Sequence, residues 1–85
     1  MKLEETDTEA AIKRLRRAEG QVAGVIRMLE SGRDCKEIVT QLAAASKALD
    51  RAGFSIVASG IRQCVTDPEG GLDQAEMEKL FLSLA

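Results

Sequence analysis

Histidine, tryptophan and tyrosine are all absent from these 85 residues; there is one proline, Pro68, and there are two cysteines, Cys35 and Cys64. Lack of histidine removes the usual general base near neutral pH and the commonest metal ligand. Phe54 and Phe81 are the only aromatics, so there is little on which single-stranded nucleic acid could stack, and a core must be built from Ala, Leu, Ile and Val. No apolar run approaches the roughly 18 residues of a membrane span, and the opening MKLEETDTEA is acidic where a secretory signal would be basic and then apolar. These absences point to a cytoplasmic protein with no membrane association.

What is present is helical pattern. Ile12, Leu15, Ala18, Val22, Val25, Ile26 and Leu29 recur at three- and four-residue steps, which predicts a first helix over about 8–30. Ser31-Gly32 supplies a left-handed stop, and Asp34 with Glu37 resembles a capping box. A second helix over about 35–65 then carries Ile38, Leu42, Ala45, Leu49, Ala52 and Ile56 in alternating steps of four and three, as a coiled-coil seam does. Asp67-Pro68-Glu69-Gly70-Gly71 reads as a turn. Beyond it, a third helix over about 72–84 has Asp73 and Glu76 at its start and Leu72, Met77, Leu80, Phe81 and Leu84 along it. The expectation is an all-α chain forming a single domain over 1–85. A domain this small buries a modest share of its surface, and its second helix, at ~1.5 Å per residue, is on the order of 45 Å long. Self-association is expected.

The formal charge of −2 conceals an asymmetry. Residues 12–33 carry a net +4, with Lys13, Arg14, Arg16, Arg17, Arg27 and Arg33, whereas the stretch from Asp67 onward carries −4. On an ideal helix Lys13, Arg16, Arg17 and Arg27 lie opposite the apolar arc, with Arg14 at its border. Such an arc is commonly a solvated face and can also be an anion-binding one.

The two cysteines are 29 positions apart, about 43 Å along one helix, which excludes a disulfide or shared metal within one subunit. In an antiparallel pairing of two such helices about an axis near Leu49 and Asp50, position i faces a position near 99 − i. Cys35 then meets Cys64 of a second copy, Ile38 meets Ile61, Leu42 meets Val57 and Ala45 meets Phe54, giving two identical dithiol sites. Cys35 lies in the first helical turn, where free amides favour a sulfur anion, with Arg33 and Lys36 adding positive charge and Asp34 opposing it. That makes Cys35 the candidate nucleophile and Cys64 the resolving thiol. An isolated cysteine is otherwise a small, inert hydrophobe.

Arg14-Leu-Arg-Arg-Ala-Glu-Gly-Gln-Val, then Cys35, Thr40-Gln41-Leu, Lys47-Ala-Leu and Cys64-Val65 resemble the copper-sensitive operon repressor (CsoR) family across almost the whole chain. The resemblance implies a three-helix protomer, a dimer built as an antiparallel four-helix bundle, and a flat homotetramer that releases operator DNA when inducer binds. It assigns DNA binding to Arg14, with Arg16, Arg17, Lys13 and Arg51 as helpers. In the family's copper branch a histidine stands four residues before the second cysteine; here that residue is Gly60. Two cysteines without a histidine look like the CsoR-like sulfurtransferase repressor (CstR) branch, in which persulfides or polysulfides link the thiols between subunits. The implied partners are double-stranded operator DNA, further copies of the chain and a persulfide or polysulfide inducer, with no cofactor, no resident metal and no enzymatic activity. Two thiolates can also hold Cu(I) linearly, which keeps a Cu(I)-responsive repressor using Cys35 and Cys64 as the alternative. A thiol-dependent sulfur-carrier enzyme and a structural scaffold are the readings from other classes.

Overall fold

The computed structural model describes residues 2–66 and 73–84, and its described elements are three helices: α1 (Glu5–Glu30), α2 (Cys35–Thr66) and α3 (Gln74–Leu84). The turn read at 67–71, and Leu72 after it, lie outside the described residues. Helix α1 starts three residues earlier than its apolar pattern, because Glu5 and Asp7 suit the positive end of a helix dipole. Its far end closes at Gly32, where φ is +69°, and the Arg33 amide reaches back to the Met28 carbonyl at 3.0 Å. Asp34 caps α2 by accepting the Lys36 amide at 3.0 Å, and Asp73 caps α3 by accepting the Glu76 amide at 2.8 Å.

Helices α1 and α2 form an antiparallel hairpin, and α3 packs on α2 alone. The hairpin closes on small residues at heptad spacing: Ala11, Ala18 and Val25 on α1, Ala45, Ala52 and Ser59 on α2, all buried. Alanine at these positions lets the two backbones approach closely. At the far side of α2, Val57 and Cys64 form a buried cluster with Met77 of α3, with Ile61 against it. The Phe54 and Phe81 rings meet at 5.3 Å, a favourable tilted distance. Gly53 admits the end of α3, since a Cβ there would stand 3.3 Å from Leu84 Cδ1.

This packing corrects the seam drawn for α2. Ala52 is 0% exposed within one chain, so Ala45 and Ala52 belong to the α1–α2 contact and not to a second copy. Val57 and Phe54 are engaged by α3, so their pairing with Leu42 and Ala45 of another chain does not stand as drawn. Left uncovered, among others, are Leu42 and Leu49 on α2 and Ile12, Leu15, Val22, Ile26 and Leu29 on α1.

The protomer measures 53 × 24 × 12 Å and exposes 6327 Å², against about 4,900 Å² for a compact monomer of this mass. The surplus is larger than the ~800 Å² per partner of a standard interface. This many exposed large apolar side chains on a thin protomer mark an interaction surface. Leu49, 54% exposed, has no role in the protomer's own interior. Leu49→Glu is therefore expected to leave helix content intact while reducing the sedimenting mass to that of one chain; an unchanged mass would place the contact elsewhere.

Candidate nucleic-acid interface and dithiol site

Along one side of the hairpin, α1 contributes Arg14, Arg17 and Gln21 and α2 contributes Ala44, Lys47, Ala48 and Arg51 to a single groove. Both sets follow helical spacing, so each helix presents one edge, and the alanines between the cations keep the floor shallow. Lys13 lies with Ala10, Arg14 and Arg17 at one margin of this groove. Past Gln21 the surface continues over Gly20, Gly24, Arg27, Arg33 and Gln41 toward the turn. Arg16 lies apart, beside Ile12, Leu15 and Glu19.

Of the five cations singled out in the sequence, the fold thus gathers Arg14, Arg17 and Arg51, sets Lys13 at the edge and separates Arg16. It adds Lys47, which the reading of the first helix's basic arc missed. The signal was present: Ala44, Lys47, Ala48 and Arg51 are spaced i, i+3, i+4, i+7, one face of α2. Gln41 Nε2 donates to the Gln21 carbonyl at 3.4 Å and ties the two helices together beside the groove. The side-chain oxygen of Gln21 is buried with no hydrogen-bond partner among the described residues.

Both cysteines are present as thiols at opposite ends of α2, Cys35 exposed and Cys64 buried. Since α2 is continuous, the rise of ~1.5 Å per residue keeps them about 43 Å apart within a chain. Around Cys35 the charge pattern differs from the bare sequence. Arg33 Nε and Nη2 each donate to the Glu37 carboxylate at 3.2 Å. These bonds hold Glu37 below the usual carboxylate range, and its carboxylate also draws on the Asp34 backbone amide. The Arg33 charge is thus balanced by Glu37.

Cys64 is buried against Met77 of α3 and Val57 of its own helix, and the cover from α3 is a screen that the sequence did not suggest. Its neighbour Gln63 holds the start of the chain: the Glu4 amide donates to Gln63 Oε1 at 3.1 Å, and Gln63 Nε2 donates to the Lys2 carbonyl. Arg62 donates to Ser59 Oγ at 3.2 Å and stands 3.6 Å from Asp7 Oδ1. Met77→Ala removes the largest cover over Cys64. It is expected to cost about 2–5 kcal/mol of stability and to speed alkylation of Cys64 relative to Cys35; equal labelling rates in parent and variant would show that Met77 does not screen the thiol.

Among the described residues no three Cys, Asp or Glu side chains come together as a metal-binding group, and no helix is long and apolar enough to cross a membrane.

A chain with no strand among its described residues, a cationic groove across a helical hairpin and a thiol at each end of its longest described helix has counterparts among helical regulators. Residues 7–83 match the family of metal-sensitive transcriptional repressors, and the chain belongs to that family. It is similar to the copper-sensing transcriptional repressor RicR of Mycobacterium tuberculosis (strain ATCC 25618 / H37Rv), 41% identical over 61 residues covering 69% of this chain and 64% of that protein. It is also similar to the copper-sensing transcriptional repressor CsoR of Mycobacterium ulcerans (strain Agy99), 35% identical over 73 residues covering 85% of this chain and 62% of the other. The chain therefore spans a little over three fifths of the length of these mycobacterial relatives. Its fold superposes on the solved structure of the nickel-responsive transcriptional regulator InrS with a TM-score of 0.76 and 30% identity, over 100% of this chain and 98% of that one.

Proposed function

We propose that this chain is a DNA-binding repressor that assembles with further copies of itself and releases its operator when reactive sulfur species link Cys35 of one subunit to Cys64 of another. The observation that carries the DNA-binding part is the groove in which two helices converge Arg14, Arg17, Lys47 and Arg51. A smooth, cation-lined strip suits the phosphate backbone of a duplex, and sequence would then be read largely through DNA shape. Lys13 extends the strip at its margin, while Arg16 would contact DNA only if the duplex reached round α1.

For sensing, the supporting chemistry is the donor set. A chain without histidine offers two thiols and carboxylates, and thiols suffice for sulfur transfer. The Cys35 thiolate attacks a sulfane sulfur of a polysulfide, displacing the remaining polysulfide as an anion and becoming a persulfide. Cys64 of a second copy then attacks the inner sulfur of that persulfide, forms the disulfide and expels hydrosulfide. Both thiols lose their protons, and the two electrons they surrender reduce the sulfur chain. Because Cys64 lies beneath Met77, the link requires α3 to shift, so a covalent event at the thiols would alter the packing of the bundle.

Copper-sensing relatives support a second reading, in which the same two thiolates hold Cu(I) in linear coordination. Titrating a protein–DNA complex separately with Cu(I) and with an inorganic polysulfide decides between them. Release by polysulfide with a disulfide-linked pair in the mass spectrum is the outcome expected here; release by Cu(I) alone would assign the site to the metal.

A further inference from the structure

Helix α1 contains two glycines in its interior, Gly20 and Gly24, and glycine is the least favourable residue after proline in that setting. The chain's own packing does not call for either. A Cβ on Gly20 would meet no atom within 4 Å, and a Cβ on Gly24 would meet the Gln41 side chain at 3.5 Å, an ordinary contact. Neither has the positive φ that requires glycine, since Gly32 is the only glycine with one among the described residues. Both lie on the surface that continues the cationic groove past Gln21.

We infer that Gly20 and Gly24 mark the closest approach of a DNA duplex to α1, with one phosphate backbone seated along the strip from Lys47 and Arg51, past Arg14 and Arg17, to Arg27. This rests on the DNA-binding reading above and adds where the duplex lies and why α1 is bare there. Arg14 to Arg27 spans about 20 Å of helix, which matches roughly six phosphates of one strand at ~3.4 Å each. Among the described residues none of these five cations forms an ion pair; the two pairs present use Arg33 and Arg62. Unpaired cations flanking two glycines on one surface fit a polyanion that must come near the helix backbone. Gln21, whose buried Oε1 has no partner, sits where the two parts of the strip meet.

A second copy of the chain is the competing occupant, through its acidic third helix. The apolar stripe of Ile12, Leu15, Val22, Ile26 and Leu29 already offers a copy a different side of α1, whereas the glycine side is cationic. Charge therefore favours DNA.

Full-length Gly24→Leu and Gly24→Ala variants test this with a fluorescent duplex taken from the DNA upstream of the chain's own coding sequence. Both should melt at or above the parent temperature, as better helix formers, and sediment as the parent does. Gly24→Leu should bind the duplex about tenfold or more weakly, as expected when phosphate contacts are lost, and Gly24→Ala should fall between it and the parent. If Gly24→Leu binds like the parent while an Arg14→Ala/Arg51→Ala variant does not, the inference is overturned and the DNA-binding reading survives. If all three bind like the parent, the DNA-binding reading itself fails. A changed sedimenting mass would give the bare strip to a second copy, and a lowered melting temperature in both glycine variants would give it to the chain's own packing; either result overturns the inference.

Discussion

Replacing Arg14 and Arg51 together by alanine is expected to weaken duplex binding by two orders of magnitude or more while leaving the melting temperature almost unchanged. The two guanidinium groups come from different helices yet line one groove, so both can reach the same phosphate backbone. A hydrogen bond to a charged group contributes roughly 1.5–3 kcal/mol, and each tenfold change in affinity corresponds to about 1.4 kcal/mol. Two lost contacts per subunit therefore account for a hundredfold. Salt gives an independent check, because each neutralised phosphate contributes about 0.9 to the slope of log affinity against log salt. The variant's slope should be flatter by about two for every subunit in contact with DNA. Neither arginine lies in the buried contact between the helices, so stability should hold. Weaker binding with an unchanged salt slope would mean that the arginines act through the fold and not on phosphate.

Exchanging Cys35 for serine is expected to abolish the response to polysulfide outright. In the parent, polysulfide should produce a covalent pair of chains on a non-reducing gel and release DNA; in Cys35→Ser it should do neither. The reason is geometric: α2 holds its two cysteines about 43 Å apart by helix rise alone, so the only disulfide within reach joins two chains. Cys64→Ser should also prevent the link but leave Cys35, the exposed thiol, able to carry a persulfide detectable as added sulfur mass. That asymmetry separates nucleophile from resolving thiol. A Cys35→Ser protein that still dissociates from DNA under polysulfide would rule out the dithiol as the sensor. Cu(I) binding would be lost in both variants without any covalent pair in the parent, which keeps the two inducers distinguishable.

Local signals in the chain carried much of the fold. Gly32 adopts the left-handed conformation expected of a stop, and Asp34 and Asp73 accept the capping amides of α2 and α3, because these are interactions among residues close in sequence. Glu37 divided its role, serving Arg33 first and the Asp34 amide second, since a side chain one helical turn away competes on equal terms with a cap. The heptad seam of α2 was legible as a seam but not as to its neighbour. Ala45 and Ala52 turned toward α1, while Leu42 and Leu49 were left outside. Periodicity records that a face is apolar, and residue size hints at how close a neighbour comes, but neither says which helix the neighbour is.

The basic surface divides in the same way. Arg14, Arg17 and Arg51 could be named from the chain, yet Lys47 joined them and Arg16 left them only once α1 and α2 were set in register, because one helix's arc is cut by whichever side its partner covers. The absences read at the outset hold by composition alone: without histidine, chemistry at the ends of α2 has no imidazole to use, whatever the fold. The sequence by itself determined the helices, their caps, the available donor set and the impossibility of a dithiol within one chain, all of which follow from local bonding and helix rise. Only the tertiary structure decided that α3 screens Cys64, that four cations from two helices share one groove, and that large apolar side chains remain uncovered, because these depend on which faces meet when the helices pack.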